Sequence, residues 1–524
     1  MNRGFSKNTL FLALASGFLI FLSFPKFGTG ILAWVSLVPL LYALKGKRIK
    51  DGLAIGFIAG LVSYIGIIYW VTFVVVHYGY LPYYVGISAM LLLAAYLSVY
   101  IALFAAGIIY FKERGIPQIL AAPLLWTCLE YGRSHLLTGF PWENLAYSQY
   151  LWKPMIQVAD ITGIYGITFL IVLVNVVFYD LLSYRRSAIG GRQSGKRLLM
   201  EVTAGCTLVL ICYFYGILRI EEIRRALRGA EAMGVVLVQG NIDQSIKWNP
   251  RYQEETLNIY KLLSLQMSPS RSGAGAGLTV WPETAMPFYF QDMDDLHRKV
   301  TDIAKVSADR LLFGSPGYLG KEDNLSLFNS AFLLSPEGKV LGRYDKVHLV
   351  PFGEYVPLRK IFPFIGKLVV GVGDFSSGKG FYPLSMNSHK LGILICYEGI
   401  LPEVSRAYKK RGADLLVNIT NDAWFGRTSA PFQHLSMTAL RAVETRLYVV
   451  RAANTGISAI IDPTGEFISQ TGLFERSALR GTVKFIDKQT FYTIYGDVFV
   501  YTCLISLLLI FLISLKGRKA ICLN

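Results

Sequence analysis

LGILICYE, residues 391–398, decides how the non-membrane part of this chain is read. Five apolar residues, Leu391 to Ile395, run directly into Cys396, Tyr397 and Glu398. A short apolar run bounded by polar residues is consistent with a strand buried on both faces. A thiol and a carboxylate at its tip then meet solvent and substrate together. MGVVLVQGNI (233–242), LTVWPE (278–283), RLLFGSP (310–316) and ADLLVNITN (413–421) repeat the pattern. SAFLLSPEGKVLGRY (330–344) and TGISAIIDPTGEFIS (455–469) read as hairpins, each with a proline and a glycine in its turn. Helical patterns lie between them, PFQHLSMTALRAVETRLYVV (431–450) among them, and RSGAGAG (271–277) reads as a surface loop. Residues 221–490 are therefore expected to form one α/β domain.

The rest of the chain is written for a different solvent. Of 524 residues, 53% are hydrophobic and 17% charged, where a soluble domain carries roughly 25% charged residues. Seven apolar stretches, at about 9–24, 30–44, 52–76, 83–110, 119–135, 164–182 and 202–218, precede the α/β region, and an eighth follows at 498–515. A helix needs about 20 apolar residues to cross a bilayer, so about eight spans are expected. Residues 1–220 would form a membrane domain, and 491–524 a last span with a short tail. Pro25 and Lys26 follow the first stretch without a small-residue cleavage site, so it reads as an anchor.

The net charge of +17 does not signal nucleic acid. Residues 233–487 hold 28 Lys/Arg against 24 Asp/Glu, a net of +4. The remainder lies mostly in short loops. Arg3 and Lys7, the cluster Lys45 to Lys50, Lys112 and Arg114, the run Arg185 to Arg197, and Lys516 to Lys519 all fall on one side of an eight-span chain. By the positive-inside rule that side is cytoplasmic. The α/β domain is then expected outside the cytoplasm. Few paired charges lie inside the spans, which argues against a transporter carrying an inactive domain.

Of six cysteines, only Cys396 lies in the α/β region. A lone cysteine there is a candidate nucleophile or an inert core residue. Its thiol needs a base. Glu283 closes a strand in LTVWPE, and an apolar surround gives a carboxylate reason to hold a proton near neutrality. Lys346, in GRYDKVHLVPFGEYVP (342–357), offers a cation for an oxyanion, with Glu354 in the same loop to orient it or a substrate amine. Singly, each also fits an ordinary core or solvated position. Glu130, Arg133 and His135, at the end of the fifth stretch, read either as a headgroup contact or as a helix-end ion pair. Asp422 and Trp424 would brace a strand end or line the pocket, and Gly456 and Gly465 would be turn residues. PFIGKLVVGVG (363–373) is a candidate lid or lipid contact, or a buried strand. His348 and His434 lack ligand-spaced partners, and no metal or cofactor is expected.

VQGNIDQSIKW (238–248), WPETAMP (281–287), YDKVHLVPFGEYVP (344–357), ICYEGI (395–400), NITNDAWFG (418–426) and RAANTG (451–456) occur in that order, with TGFPW at 138–142 in the membrane half. Together they resemble the nitrilase superfamily of carbon-nitrogen hydrolases, and within it the membrane branch, the apolipoprotein N-acyltransferases. The resemblance covers nearly the whole chain. It implies an αββα sandwich with Glu283 as general base, Lys346 as oxyanion stabiliser and Cys396 as nucleophile. It further implies a supporting role for Glu354, site-shaping roles for Tyr397 and Glu398, and a tryptophan, Trp248, on a mobile loop that meets lipid. The implied reaction moves an acyl chain from a phospholipid to Cys396 and then to the amine of a diacylglyceryl-cysteine on an apolipoprotein. Both substrates are anchored in lipid, so the pocket is expected to open toward the bilayer. A monomer in the bacterial inner membrane is expected, with the catalytic domain on the periplasmic side. The alternative is a membrane-anchored amidase, in which water replaces the amine.

Overall fold

The computed structural model describes residues 6–187, 195–268, 270, 277–320, 325–351, 353–355 and 375–521. The segment 363–373 therefore lies outside the described residues. The chain divides into two compact units. One comprises the chain up to Thr72, Tyr83–Ile220 and the chain from Tyr495; the other comprises Phe73–Pro82 and Glu221–Ile494.

The first unit is helical. Ile49–Ile68, Tyr83–Glu113, Ile164–Tyr184, Gly195–Arg228 and Val498–Leu515 are long and apolar enough to cross a membrane. The stretches expected near 9–24, 30–44 and 119–135 take other forms. Lys7–Leu22 has 16 residues, and Gly30–Ala43 is a 3₁₀ turn followed by a helix of six. At 1.5–2.0 Å per residue, Gly30–Ala43 reaches about 20–28 Å, short of the ~30 Å hydrocarbon layer. Gln118–His135 has 18 residues but carries a buried Glu130 and Arg133. The spacing of Gly52, Gly56 and Gly60 lets Ile49–Ile68 lie directly on Tyr83–Glu113. A Cβ at Gly56 would fall 2.6 Å from that of Ala105, the small-residue packing expected where apolar helices approach closely.

Glu130 and Arg133 hold a loop of their own unit. Glu130 accepts from the Leu145 amide and the Thr168 hydroxyl, both at 2.7 Å. Arg133 donates to the Trp142 carbonyl at 2.9 Å and to the Asn144 side chain. These bonds fix the loop that carries TGFPW. His135 is exposed, with Nδ1 2.9 Å from the Tyr131 carbonyl.

The second unit contains twelve described strands: β1 Ala232–Gln239, β2 Leu278–Val280, β3 Arg310–Leu319, β4 Ser326–Leu334, β5 Val340–Asp345, β6 Leu384–Met386, β7 His389–Ile395, β8 Leu415–Thr420, β9 Tyr448–Ala453, β10 Ala459–Ile461, β11 Phe467–Gln470 and β12 Ser477–Lys484. They form two six-stranded sheets, ordered β12–β1–β2–β3–β4–β5 and β11–β10–β9–β8–β7–β6. The two expected hairpins are β4–β5 and β10–β11. Arg446, at φ +55, ends the helix Ala430–Thr445 before β9 begins. The pattern 431–450 is thus a helix and the start of a strand.

Helices Gln253–Met267 and Asp295–Ser307 cover the first sheet, where Leu257, Tyr260, Val300 and Ile303 pack with Val236, Trp281 and Phe313. Each such buried side chain contributes about 1.5–3 kcal/mol. Helices Pro402–Lys410 and Ala430–Thr445 pack on the second sheet. Between the sheets, the Gln239 side-chain oxygen accepts from the hydroxyls of Ser458 and Thr471, each at 2.8 Å. The result is a helix–sheet–sheet–helix sandwich. Within the first sheet β1, β2 and β5 point the same way, and within the second β7, β8 and β9 do. Every strand preceding an expected catalytic residue therefore presents its carboxyl end at one edge.

Candidate active site

Glu283 lies three residues beyond β2, in a loop pressed onto β3. A Cβ at Gly314 would sit 2.3 Å from the Thr284 amide nitrogen and 2.7 Å from the Glu283 Cα, so only glycine admits this approach. The Glu283 carboxylate accepts from the Asn329 side chain at 2.7 Å and from the Asn421 main-chain amide at 2.9 Å. Burial pushes this carboxyl above the usual glutamate range, and the nearby Glu354 pushes the same way against Lys346 and Asn329.

Lys346 follows β5 and is buried. Its ammonium stands 2.9 Å from Glu354 Oε2 and 4.0 Å from Glu283 Oε1. Burial opposes the charge, but Glu354, Cys396 and Glu283 outweigh it and hold the lysine protonated, above its ordinary value. Glu354 also accepts from Asn329 at 3.1 Å and from the Val350 amide at 2.9 Å. Asn329 thus ties both glutamates together, one on each side of the cation.

Cys396 enters from the other sheet. Parallel pairing sets Ile395 opposite Ile419, which places the thiol-bearing residue beside Thr420. It adopts φ +54, a left-handed conformation unusual for a residue with a Cβ. Glu398 shapes this turn. It is fully buried and accepts from the Ile395 amide at 2.8 Å, the Tyr344 hydroxyl at 2.8 Å, the Val347 amide at 2.9 Å and the His348 amide at 3.0 Å. One carboxylate therefore fixes both the Cys396 turn and the backbone just past Lys346. Burial raises the Cys396 thiol, Glu283 adds to this, and Lys346 opposes it. Tyr397 stacks against the His348 ring, with centroids 5.8 Å apart.

Trp248 caps the short helix Gln244–Lys247 and is exposed. The residue before it, Lys247, is buried, and its ammonium donates to the Glu283 carbonyl at 3.4 Å. Burial pushes that lysine down to about 8, with Glu283 opposing. Asp422 is fully buried against Arg451 and His434. Trp424 packs edge-on against Tyr78, at 4.7 Å between centroids. Gly465 is a turn residue at φ +82, whereas Gly456 lies against Asp422, where a Cβ would fall 2.3 Å from a carboxylate oxygen. Among the described residues, no group of three or more His, Cys, Asp or Glu side chains is arranged to hold a metal.

The chain is 46% identical to an apolipoprotein N-acyltransferase of Geobacter metallireducens, over 97% of this chain and 96% of that one. It belongs to the apolipoprotein N-acyltransferase family. Similar N-acyltransferases occur in Pasteurella multocida, at 33% identity over 96% of this chain and 94% of that one, and in Nitrosomonas europaea, at 32% over 97% of each. Residues 16–177 match the family model for the apolipoprotein N-acyltransferase N-terminal domain, and residues 235–487 match that for carbon-nitrogen hydrolases. An amidase from Nesterenkonia sp. aligns with 52% of this chain and 97% of its own, at 23% identity and a TM-score of 0.38.

In this N-acyltransferase the fold joins Glu283, Lys346 and Glu354 in one cluster that acts electrostatically on the Cys396 thiol, while Glu398 holds the backbone beside both Lys346 and Cys396. Trp248 stands beside it through Lys247. The residues not anticipated are those that hold others. Asn329 sits inside the mostly apolar run SLFNSAFLL, and one amide within such a run is the signal that marks it. Lys247 carried no such signal, since a lysine in a polar loop reads as solvated.

Proposed function

We propose that this N-acyltransferase works by a two-step exchange at Cys396, with Glu283 moving the protons and Lys346 holding the oxyanion. The observation that carries the reading is a part-buried thiol in a left-handed turn, electrostatically linked to a buried carboxylate and a buried ammonium brought from the opposite sheet. In the first step Glu283 takes the thiol proton as sulfur attacks the ester carbonyl of a phospholipid. The tetrahedral oxyanion forms beside the Lys346 ammonium. It collapses by breaking the acyl–oxygen bond, and Glu283 returns the proton to the departing lysophospholipid oxygen. In the second step the α-amine of a diacylglyceryl-cysteine attacks the thioester, loses a proton to Glu283, and leaves the amide with the thiol restored. Glu354, bonded to the Lys346 ammonium, keeps the cation aimed.

The chain is a membrane protein. The basic loops support cytoplasmic termini and a catalytic unit on the periplasmic side of the inner membrane. A phospholipid donor, a diacylated apolipoprotein acceptor, contact of Trp248 with lipid and a monomeric state complete the reading.

The test is incubation of the full-length protein with phospholipid carrying a labelled acyl chain, followed by intact mass. An acyl adduct is expected on the native chain, absent from Cys396→Ala, and discharged by a diacylated lipopeptide into a triacylated product. Release of free fatty acid at the same rate with and without lipopeptide would instead make the enzyme a hydrolase. An adduct that survives Cys396→Ala would remove the nucleophile.

A further inference from the structure

Beside the Cys396 carbonyl, three segments bring together a fully buried acid, base and imidazole. Asp422 follows β8, His434 lies on the helix Ala430–Thr445, and Arg451 lies on β9. His434 Nε2 is 3.2 Å from the Cys396 carbonyl oxygen. Its Nδ1 is 3.1 Å from both Asp422 Oδ1 and the Arg451 guanidinium. Arg451 also reaches Asp422 Oδ2 at 2.7 Å, and it holds the side chain of Asn418, whose own amide donates to the Cys396 carbonyl at 3.3 Å. The Thr420 hydroxyl completes the set on Asp422 Oδ1 at 3.1 Å.

The bonding pattern fixes the ring's proton. A carbonyl oxygen can only accept, so Nε2 must carry hydrogen. Burial and Arg451 push the ring's pKa down while Asp422 opposes them, and Nδ1 stands between the Arg451 guanidinium and the Asp422 carboxylate. Arg451 and Asp422 together anchor the ring from behind while Nε2–H donates forward. Burial works against the Asp422 charge, but Arg451 and His434 hold that carboxyl well below the usual range. The anion accordingly stays in place beside the cation.

A cluster of this kind is a weak source of stability, since buried charges give back much of what their pairing gains. Among its contacts is the main chain of Cys396, a residue in a disfavoured conformation. We propose that His434, anchored by Arg451 and Asp422, is a positioning residue for the nucleophile: its ring N–H grips the Cys396 carbonyl and holds the turn that aims the thiol. The peptide between Cys396 and Tyr397 is planar, so gripping the carbonyl also turns the Tyr397 N–H to the opposite side. One contact thus sets the thiol and a main-chain donor beside it. The assignment rests on Cys396 being the nucleophile.

The experiment uses full-length protein in lipid nanodiscs, with labelled phospholipid titrated in and acyl-enzyme formation followed by intact mass. The variants are His434→Gln, whose amide nitrogen can replace the Nε2 donor, and His434→Met, of similar bulk but without a donor. His434→Met is expected to lower the maximal rate of acyl-enzyme formation about tenfold or more, with half-saturating donor changed less than about twofold. His434→Gln is expected to recover most of the rate at a thermal midpoint similar to that of His434→Met. Equal rates in the two variants, or a His434→Met enzyme as fast as wild type, would overturn the proposal. Should His434→Met fail to fold, His434→Asn takes its place, because its shorter amide cannot reach the Cys396 carbonyl. Gln faster than Asn supports the grip, and equality removes it. An adduct on Cys396→Ala would sink the nucleophile itself, a result separate from any outcome at His434.

Discussion

Burial lifts the Glu283 carboxyl and the Cys396 thiol together, and Lys346 opposes both shifts. A thiol held above its ordinary value is protonated at rest. In the proposed mechanism sulfur therefore loses its proton to Glu283 during attack rather than waiting as a thiolate beside a cation. The sign for pH follows. Glu283 must be ionised to accept the proton, so activity is present above its pKa and lost as pH falls through it. Because that pKa is raised, the acid limb of acyl-enzyme formation is expected above the ordinary glutamate value of 4.5. Glu283→Gln should slow the step by about 10²- to 10⁴-fold and erase the limb. Rate–pH profiles of the two proteins check this, and a limb unchanged in the Gln variant would place the base elsewhere. Glu283 and Cys396 were legible as residue types at run ends, and Lys346 as a cation in the loop it shares with Glu354. Their supports were not, because Asn329, Lys247 and His434 act on residues far away in sequence, and only the packed sheets bring them near.

Single residues also decide how elements meet. Glu398 sits in the turn after β7 and takes hydrogen from four donors. Glu398→Ala strands donors from two strand ends and is expected to destabilise the catalytic unit by about 3 kcal/mol or more, since each unmet buried group costs about 1–3 kcal/mol. Glu398→Gln keeps the shape and most acceptors and should lose less, with denaturant unfolding of the full-length protein as the measure. Equal losses would mean the carboxylate is not the pin. On β3, Gly314→Ala places a methyl group against the Glu283 backbone. Acyl-enzyme formation should fall by about tenfold or more, as small displacements of reacting groups are costly. An unchanged rate would show that the loop can yield. The strands that end in these residues were readable from their apolar runs. β9 was not, because Tyr448–Ala453 continues a helical spacing without a break, and the boundary is set by the left-handed Arg446. β12 was missed for a related reason. It is an edge strand whose exposed and part-buried residues lack a continuous apolar run.

At the scale of the whole chain, a membrane half and a sandwich half were distinguishable because hydropathy and charge change together near residue 220. Helix lengths were less so, since an apolar stretch such as 30–44 does not announce that Pro39 and a 3₁₀ turn will divide it. Nor does Phe73–Pro82, within the third apolar stretch and its following loop, announce that it packs with the second unit. Orientation rests on charge alone. The catalytic unit is nearly balanced, with 28 basic and 24 acidic residues between 233 and 487, so its own charge does little to hold it inside. With the even span count expected from the sequence, the basic loops would gather on one side and do the opposite. A single added thiol reads the result, because Cys396 is the lone cysteine of that region. Val306 lies exposed on the helix Asp295–Ser307. In a Cys396→Ala background, Val306→Cys should react with a membrane-impermeant maleimide in intact cells stripped of their outer membrane, above the level of the parent carrying only the remaining cysteines. Labelling that appears only after the inner membrane is opened would put the acyltransferase centre in the cytoplasm, and with it would fall an acceptor presented at the outer face.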